Sequence, residues 1–273
     1  MEQYDVNDFF KKHWGTGNEL FRHAFSVEGH VFRNIKNRCT LKFCLDGKSF
    51  FIKRQGPVGW REILKNKLQG KDPVVSSANE YLALRLLPKL GVHTMTSCAF
   101  AVRGNDIAHL ESFLVTEELI GMVSLEDYCR YWKDNPPSPR VRRSIVRALA
   151  ETCAKMHRSG MNHRDCYLCH FLVDPQLLER GKCDLFVIDL HRAQIRNHIP
   201  KHFQIKDVAG IFFSSMDCGL TKRDILRFMA VYTHTMRTAI PRQTWNRIFH
   251  AAVRLYRKEH NGNAPELPAG ISS

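Results

Sequence analysis

The chain has 273 residues, enough to bury one large hydrophobic core or two modest ones. Hydrophobic residues make up 44% and charged residues 25%, a globular balance that excludes collagen-like, wholly disordered and disulfide-scaffold classes. A formal net charge of +14 calls for an acidic partner or surface: nucleic acid, anionic lipid or an acidic protein.

The first residues, MEQYDVNDFFKKHWGTG, have an acidic start and no apolar run, so they do not read as a secretory signal. Nowhere do about 18 apolar residues follow one another as a membrane span requires. The expected compartment is therefore the cytosol, where thiols stay reduced. Nine scattered cysteines, an odd count, fit buried small hydrophobes better than a disulfide framework. The basic residues fall in clusters (RNIKNR, KNKLQGK, RVRRSIVR, RNHIPKHFQIK), none long enough to be a disordered basic tail.

Strands are predicted next. EGHVFRNI is followed by RCTLKFCL and KSFFIKR, which flank Asp46-Gly47, and an Asp-Gly pair between β-rich runs marks a hairpin because both turn positions need positive φ. One helix, SSANEYLALRLLPKL, comes before two further strands, CAFAV and SFLVTEEL. The second half reads as helices. SLEDYCRYW opens with a Ser-x-x-Asp cap, and RVRRSIVRALAETCAKMHRSG sets Val141, Ile145, Leu149, Cys153 and Met156 on one face before Gly160 stops it. Two short strands, HFLVD and LFVIDL, follow, then helices KDVAGIFFSSM, TKRDILRFMAVYTHTM and QTWNRIFHAAVRLYRKEH. Strands first and helices second give an α+β fold in two lobes, residues 1–119 and 120–260, with a frayed tail at 261–273.

The stretch NHRDCYLCHFLVD admits two readings. From Cys166 it is Cys-x-x-Cys-His, the c-type haem spacing; from His163 it is His-Arg-Asp before a short loop and an apolar strand, as in a protein-kinase catalytic loop. Haem attachment would need export and a second axial ligand, and one Cys-x-x-Cys without a second pair is incomplete for structural zinc. Phosphoryl transfer needs a cation for the α/β-phosphates, a carboxylate to fix it, a base near the accepting hydroxyl and a carboxylate for Mg²⁺. Lys53 in FFIKR, Glu80 on the first-lobe helix, Asp165 in the loop and Asp189 at the end of LFVID supply these in order. Alone, each has a bland alternative, such as a solvated strand-end lysine or a boundary glutamate; four in order are specific.

NHRDCYLCHFL, with VIDLHRAQ, VTEEL, GLTKRDILRF and GVHTMT, resembles the lipopolysaccharide core heptose(I) kinases of Gram-negative bacteria, over roughly four fifths of the chain. The resemblance implies a bilobal protein-kinase-like fold that moves the γ-phosphate of ATP, with Mg²⁺, onto the first heptose of the lipopolysaccharide inner core. It implies action at the anionic cytoplasmic face of the inner membrane, which the basic charge fits independently, and acyl carrier protein, a small acidic protein, as a further partner. Carried over by position, the catalytic candidates are His163, Arg164 bracing the loop, and Asp165 as base. Lys53 and Glu80 serve the phosphates, Glu117 and Leu119 the adenine, Asp189 the metal, and Asp207 holds the catalytic loop. Three positions depart from the general kinase pattern: His170 replaces a metal-binding Asn, although imidazole is a poor Mg²⁺ ligand; Asp189-Leu190-His191 replaces Asp-Phe-Gly; and Gly29 stands alone where a glycine-rich loop belongs. A Kdo or other sugar kinase of the same fold, and a pseudokinase scaffold, are the alternatives. A nucleic-acid role would rest on charge alone, since no recognition motif accompanies it.

Overall fold

Asp46 and Gly47 both take positive φ, 50° and 72°, the conformation for which a two-residue Asp-Gly turn is suited. The turn fixes strands Arg38–Leu45 and Lys48–Gln55 in register, with Leu45 opposite Lys48 and Arg38 opposite Gln55. This hairpin belongs to a six-stranded sheet in the computed structural model, which describes residues 2–70 and 72–266. The sheet order is Glu2–Val6, Ser97–Arg103, Glu111–Glu117, Lys48–Gln55, Arg38–Leu45, His30–Ile35, and every neighbouring pair is antiparallel.

The chain divides into two compact units, Met1–Arg85 with Met95–Ile120, and Leu86–Thr94 with Gly121–Ser273. In the first, alternation sends Leu41, Phe43, Phe50, Ile52, Phe113 and Val115 to one face of the sheet. Helices Asp8–Trp14 and Gly17–Ser26 close that face with Phe10, Trp14, Leu20 and Phe21. Phe10 meets Phe50 edge-on at 5.0 Å and Trp14 stacks on Phe43 at 5.7 Å, geometries that aromatic quadrupoles favour. Ala99 and Ala101 belong to the same core, whereas Phe100 between them stacks on Tyr81 of helix Ala78–Leu86 at 4.1 Å. That helix therefore covers the other face.

One helix is legible in this unit from sequence; the structure adds Asp8–Trp14, Gly17–Ser26 and Trp60–Leu68. Each has ten residues or fewer, below the window in which a 3.6-residue period stands out. Their signals are local instead, as where the Asn7 side chain caps the first by accepting the Phe10 N–H at 3.0 Å.

The second unit is mainly helical. Helix Pro139–Arg158 starts with a Ser138 cap and a proline in its first turn and buries Ile145, Leu149, Cys153 and Met156. It packs on Lys222–Met236, while Lys201–Ser215 packs on Arg242–Glu259. Ser124 caps as expected, its Oγ accepting the Asp127 N–H at 3.0 Å, but the helix runs only Leu125–Cys129 and gives way to turns. A small sheet of Phe171–Val173, Phe186–Val187, His93–Thr94 and Val123–Ser124 carries the loop strands. Residues 261–266 form no helix or strand, and the remainder of the expected tail, 267–273, lies outside the described residues.

Because Phe10 is wholly buried between its own helix and the sheet, Phe10→Ala is expected to cost about 3–5 kcal/mol by urea denaturation. A cost below about 1 kcal/mol would show that the N-terminal helices are not part of the core.

Candidate active site

Lys53 follows Ile52 on strand Lys48–Gln55, so it leaves the sheet on the face opposite the aromatic core. Helix Ala78–Leu86 covers that face and presents Glu80 in its first turn. The Lys53 ammonium donates to Glu80 Oε1 at 2.6 Å, with Glu80 only 1% exposed. A carboxylate so enclosed is tolerable only when paired, and removing one partner of such a pair costs about 3–5 kcal/mol.

Glu117 ends strand Glu111–Glu117, is exposed, and donates its N–H to the Thr96 carbonyl at 3.1 Å. Leu119 is half-buried just before residue 120, after which the second unit resumes. Glu118 between them pairs with Lys42 at 2.6 Å, and the ammonium beside it holds its carboxyl below the usual range. Gly29 has a packing reason: a Cβ there would lie 2.1 Å from the Lys42 carbonyl oxygen. The strand that follows it, His30–Ile35, is an exposed sheet edge.

In the second unit the long helix stops at Gly160, where φ is 82° and a Cβ would meet the Arg196 carbonyl oxygen at 1.8 Å. Only glycine fits there, and it lets Met161–Asn162 pair with Gln194–Ile195. The loop then meets a buried carboxylate. Asp207, 1% exposed on helix Lys201–Ser215, accepts the backbone N–H groups of His163 and Arg164 at 2.6 and 2.9 Å. Its Oδ2 also faces His157 Nε2 at 3.4 Å, and His157 Nδ1 bonds the Tyr232 hydroxyl at 2.6 Å. Arg164 sits at φ 74°, a left-handed conformation that its N–H bond to Asp207 helps to hold.

His163 and Arg164 were expected among the catalytic groups, and their burial, 0% and 9% exposed, corrects this for His163. Its Nε2 bonds the Ile188 carbonyl at 3.1 Å; a carbonyl only accepts, so Nε2 carries the proton. His163 thus ties the loop to the backbone next to Asp189 and is a positioning residue. Burial is the main cause that lowers its pKa from 6.5, with Asp207 opposing.

Asp165, its side chain 17% exposed, receives Arg192 Nη1 on Oδ1 at 2.7 Å. The Asp165 carbonyl accepts His170 Nδ1 at 2.7 Å, which turns His170 Nε2 toward Asp189 Oδ2 at 3.5 Å. Asp189, also left-handed with φ 56°, accepts His191 Nδ1 on Oδ1 at 2.8 Å. Asp165, His170, Asp189, His191 and Arg192 therefore form one cluster. Lys206 lies near it, exposed as a residue, yet partial desolvation and then the charges of Arg192 and Arg164 lower its pKa. Arg192 belongs to no general kinase motif, and its signal in the sequence is adjacency to Asp189 in DLHR; His191, which stands where Asp-Phe-Gly has its glycine, is bonded to Asp189. Cys166 is buried and burial pushes its thiol up, while Cys169 is half-buried. Among the described residues no three His, Cys, Asp or Glu side chains gather as a metal site.

Residues 22–232 match the model of the lipopolysaccharide kinase (Kdo/WaaP) family. This chain belongs to that family. It is 44% identical over 224 residues to the lipopolysaccharide core heptose(I) kinase WaaP of Pseudomonas aeruginosa, covering 82% of this chain and 83% of that protein. The Escherichia coli K12 WaaP is 44% identical over 217 residues, 79% of this chain and 82% of the relative. A solved structure of WaaP in complex with acyl carrier protein superposes with a TM-score of 0.76 at 35% identity, over 95% of this chain and 98% of that one. The α+β architecture is thus that of a kinase-like fold, and a kinase family implies ATP as phosphate donor. Among the described residues no helix of this lipopolysaccharide kinase is long and apolar enough to cross a membrane.

A depressed imidazole pKa stabilises the folded state fully above the unfolded value of 6.5 and progressively less as pH falls below it, because the unfolded chain then binds the extra proton. Stability measured by denaturation is expected to decline below pH 6.5. His163→Gln, which retains an amide donor but cannot titrate, should show a shallower decline; equal slopes would sink the assignment.

Proposed function

We propose that this lipopolysaccharide kinase transfers the γ-phosphate of ATP to a hydroxyl of the first heptose of the lipopolysaccharide inner core. The observation that carries the reading is Asp165 on a loop anchored by Asp207, in a chain 44% identical to WaaP heptose(I) kinases. A Kdo acceptor is the other option the family description leaves, and the relatives' acceptor favours heptose.

Arg192 binds Asp165 Oδ1, leaving Oδ2 to accept the proton of the attacking hydroxyl. The oxygen of the deprotonated sugar hydroxyl bonds to the γ-phosphorus as the bond to the β,γ-bridging oxygen breaks, and ADP leaves with its electron pair. Positioning and electrostatics do most of the work in such a transfer. Lys53, fixed by Glu80, supplies positive charge for the α/β-phosphates. Asp189 is the carboxylate for magnesium, and a single carboxylate fits an ion that keeps waters and binds phosphate oxygens. Bound there, Mg²⁺ would neutralise charge building on those oxygens. His170 is assigned to holding the loop: its Nδ1 is committed to the Asp165 carbonyl, and imidazole suits magnesium poorly.

A lipid-linked acceptor places the enzyme at the cytoplasmic face of the inner membrane, and the +14 charge supports an anionic surface there. The same charge supports acyl carrier protein as a partner, the assembly seen for the solved relative.

Labelled γ-phosphate from ATP should pass to heptose-containing, unphosphorylated inner core, and Asp165→Asn should lower kcat by about 10²–10⁴-fold with unchanged thermal stability. If a competent acceptor takes no label from the wild type while a Kdo acceptor does, the heptose assignment is wrong. Glu80→Gln removes the charge that fixes Lys53 and is expected to lower kcat/KM by about 10²-fold; wild-type kinetics in this variant would remove Lys53 from the phosphate site.

A further inference from the structure

We propose that helix Trp60–Leu68 is a docking element that seats this lipopolysaccharide kinase on an anionic lipid bilayer. Its sequence, WREILKNKL, places Trp60, Leu64 and Leu68 at i, i+4 and i+8, a single stripe along the helix. All three protrude: Trp60 is 50% exposed, Leu64 55% and Leu68 90%. The side that packs inward is carried by Ile63, 1% exposed. At 100° per residue, Arg61 and Lys65 fall on one flank of the stripe and Lys67 on the other, and all three are exposed. The single acid, Glu62, is half-buried and accepts the Asn66 amide at 3.1 Å.

A soluble helix turns its apolar stripe inward; here a second stripe faces water between cations. Apolar side chains including a tryptophan, bordered by lysine and arginine, are what a helix lying in the headgroup layer requires. The surface continues beyond the helix. Gly56 donates its N–H to the Asn37 carbonyl at 2.7 Å, which brings the turn Lys36–Asn37 to the approach of this helix, together with exposed Ile35 at 50%. An acidic protein would match the cations equally well, but a leucine 90% exposed matches acyl chains better than a charged protein surface. The biological reason, an acceptor held in a bilayer, rests on the proposed function; the surface itself does not.

The helix carries its own reporter. Trp14, Trp132 and Trp245 are buried at 4–5% exposure, leaving Trp60 as the exposed one of four tryptophans. Mixed with vesicles of phosphatidylglycerol and phosphatidylethanolamine, the full chain should co-float and its emission should move to shorter wavelength, with weaker binding to phosphatidylcholine vesicles. Trp60→Phe should abolish the emission change while binding persists. Leu64→Ser with Leu68→Ser should weaken binding by about tenfold or more, and neutralising Arg61, Lys65 or Lys67 to Gln by about fivefold each. Phosphate transfer to lipid-free core oligosaccharide should be unchanged in the double serine variant and reduced on vesicle-embedded acceptor. Vesicle binding equal in wild type and double variant would overturn the proposal, as would loss of binding to an acidic carrier protein with vesicle binding intact. A wild type that docks on vesicles through this helix but phosphorylates no acceptor would support the docking element and reject the heptose reading.

Discussion

Asp207 is shut away from water, and its charge must be met by protein groups because no solvent is present to meet it. Two backbone amides, those of His163 and Arg164, supply most of that need, and His157 completes the set. The loop cannot relax without stranding the carboxylate, so the electrostatic demand of one buried group becomes a geometric constraint on the residues around it. This explains how Arg164 persists at a positive φ that costs a non-glycine residue of order 1–3 kcal/mol. Asp165 comes next in the chain and inherits the fixed backbone. The constraint extends outward, since His157 is bonded to Tyr232 and Tyr232 also accepts the Gln204 amide, tying together helices Pro139–Arg158, Lys201–Ser215 and Lys222–Met236. A buried hydrogen-bonded network of this kind specifies one arrangement of a core more sharply than apolar contacts can.

The first unit uses the same physics on a side chain. Glu80 is as buried as Asp207, but its charge is met by an ammonium rather than by amides. The Lys53 stem lies on a sheet whose other face is locked by aromatic packing, so the ammonium is delivered by a rigid element. A lysine left to solvent would spread over many rotamers; one held at 2.6 Å from a buried carboxylate does not. In both units a costly buried acid serves as the anchor, and the group anchored to it is the one offered to chemistry.

Long-period and turn signals were legible in the sequence: the Asp46-Gly47 hairpin, the helix ending at Gly160, and the Ser124 cap. A glutamate among leucines on a helix face also calls for a cation if it is buried, and the fold supplies that cation in Lys53. What stayed hidden were contacts made by chain segments distant in sequence or shorter than the period that reveals them. Phe10 and Trp14 carry no periodic signal because their helix has seven residues. Arg192 looked like any surface arginine until the fold brought it to Asp165, twenty-seven positions earlier. His163 read as catalytic by adjacency, whereas its complete burial makes it a brace; tripeptide order cannot tell the side chain that faces substrate from the one that faces the core. Gly29 is similar, since a position that looks fit for phosphate is filled by a neighbouring strand's carbonyl.

The charge distribution separates the cations the fold needs from those it does not. Of 41 lysines and arginines set against 27 acids, several are consumed inside: Arg142 with Asp224, Lys53 with Glu80, Arg192 with Asp165, Lys42 with Glu118. Removing these would strip a cation from the buried carboxylates of Glu80 and Asp224 and from the partly buried ones of Asp165 and Glu118. Arg61, Lys65 and Lys67 neutralise nothing buried, and among the described residues no carboxylate pairs with them. Their helix also leaves three large apolar side chains in water, an arrangement folding by itself would not favour. Two unfavourable exposures, charge beside charge and hydrocarbon beside water, coincide on one nine-residue helix. Contact with anionic headgroups would relieve the first and contact with acyl chains the second, which is why a bilayer rather than an interior accounts for this segment.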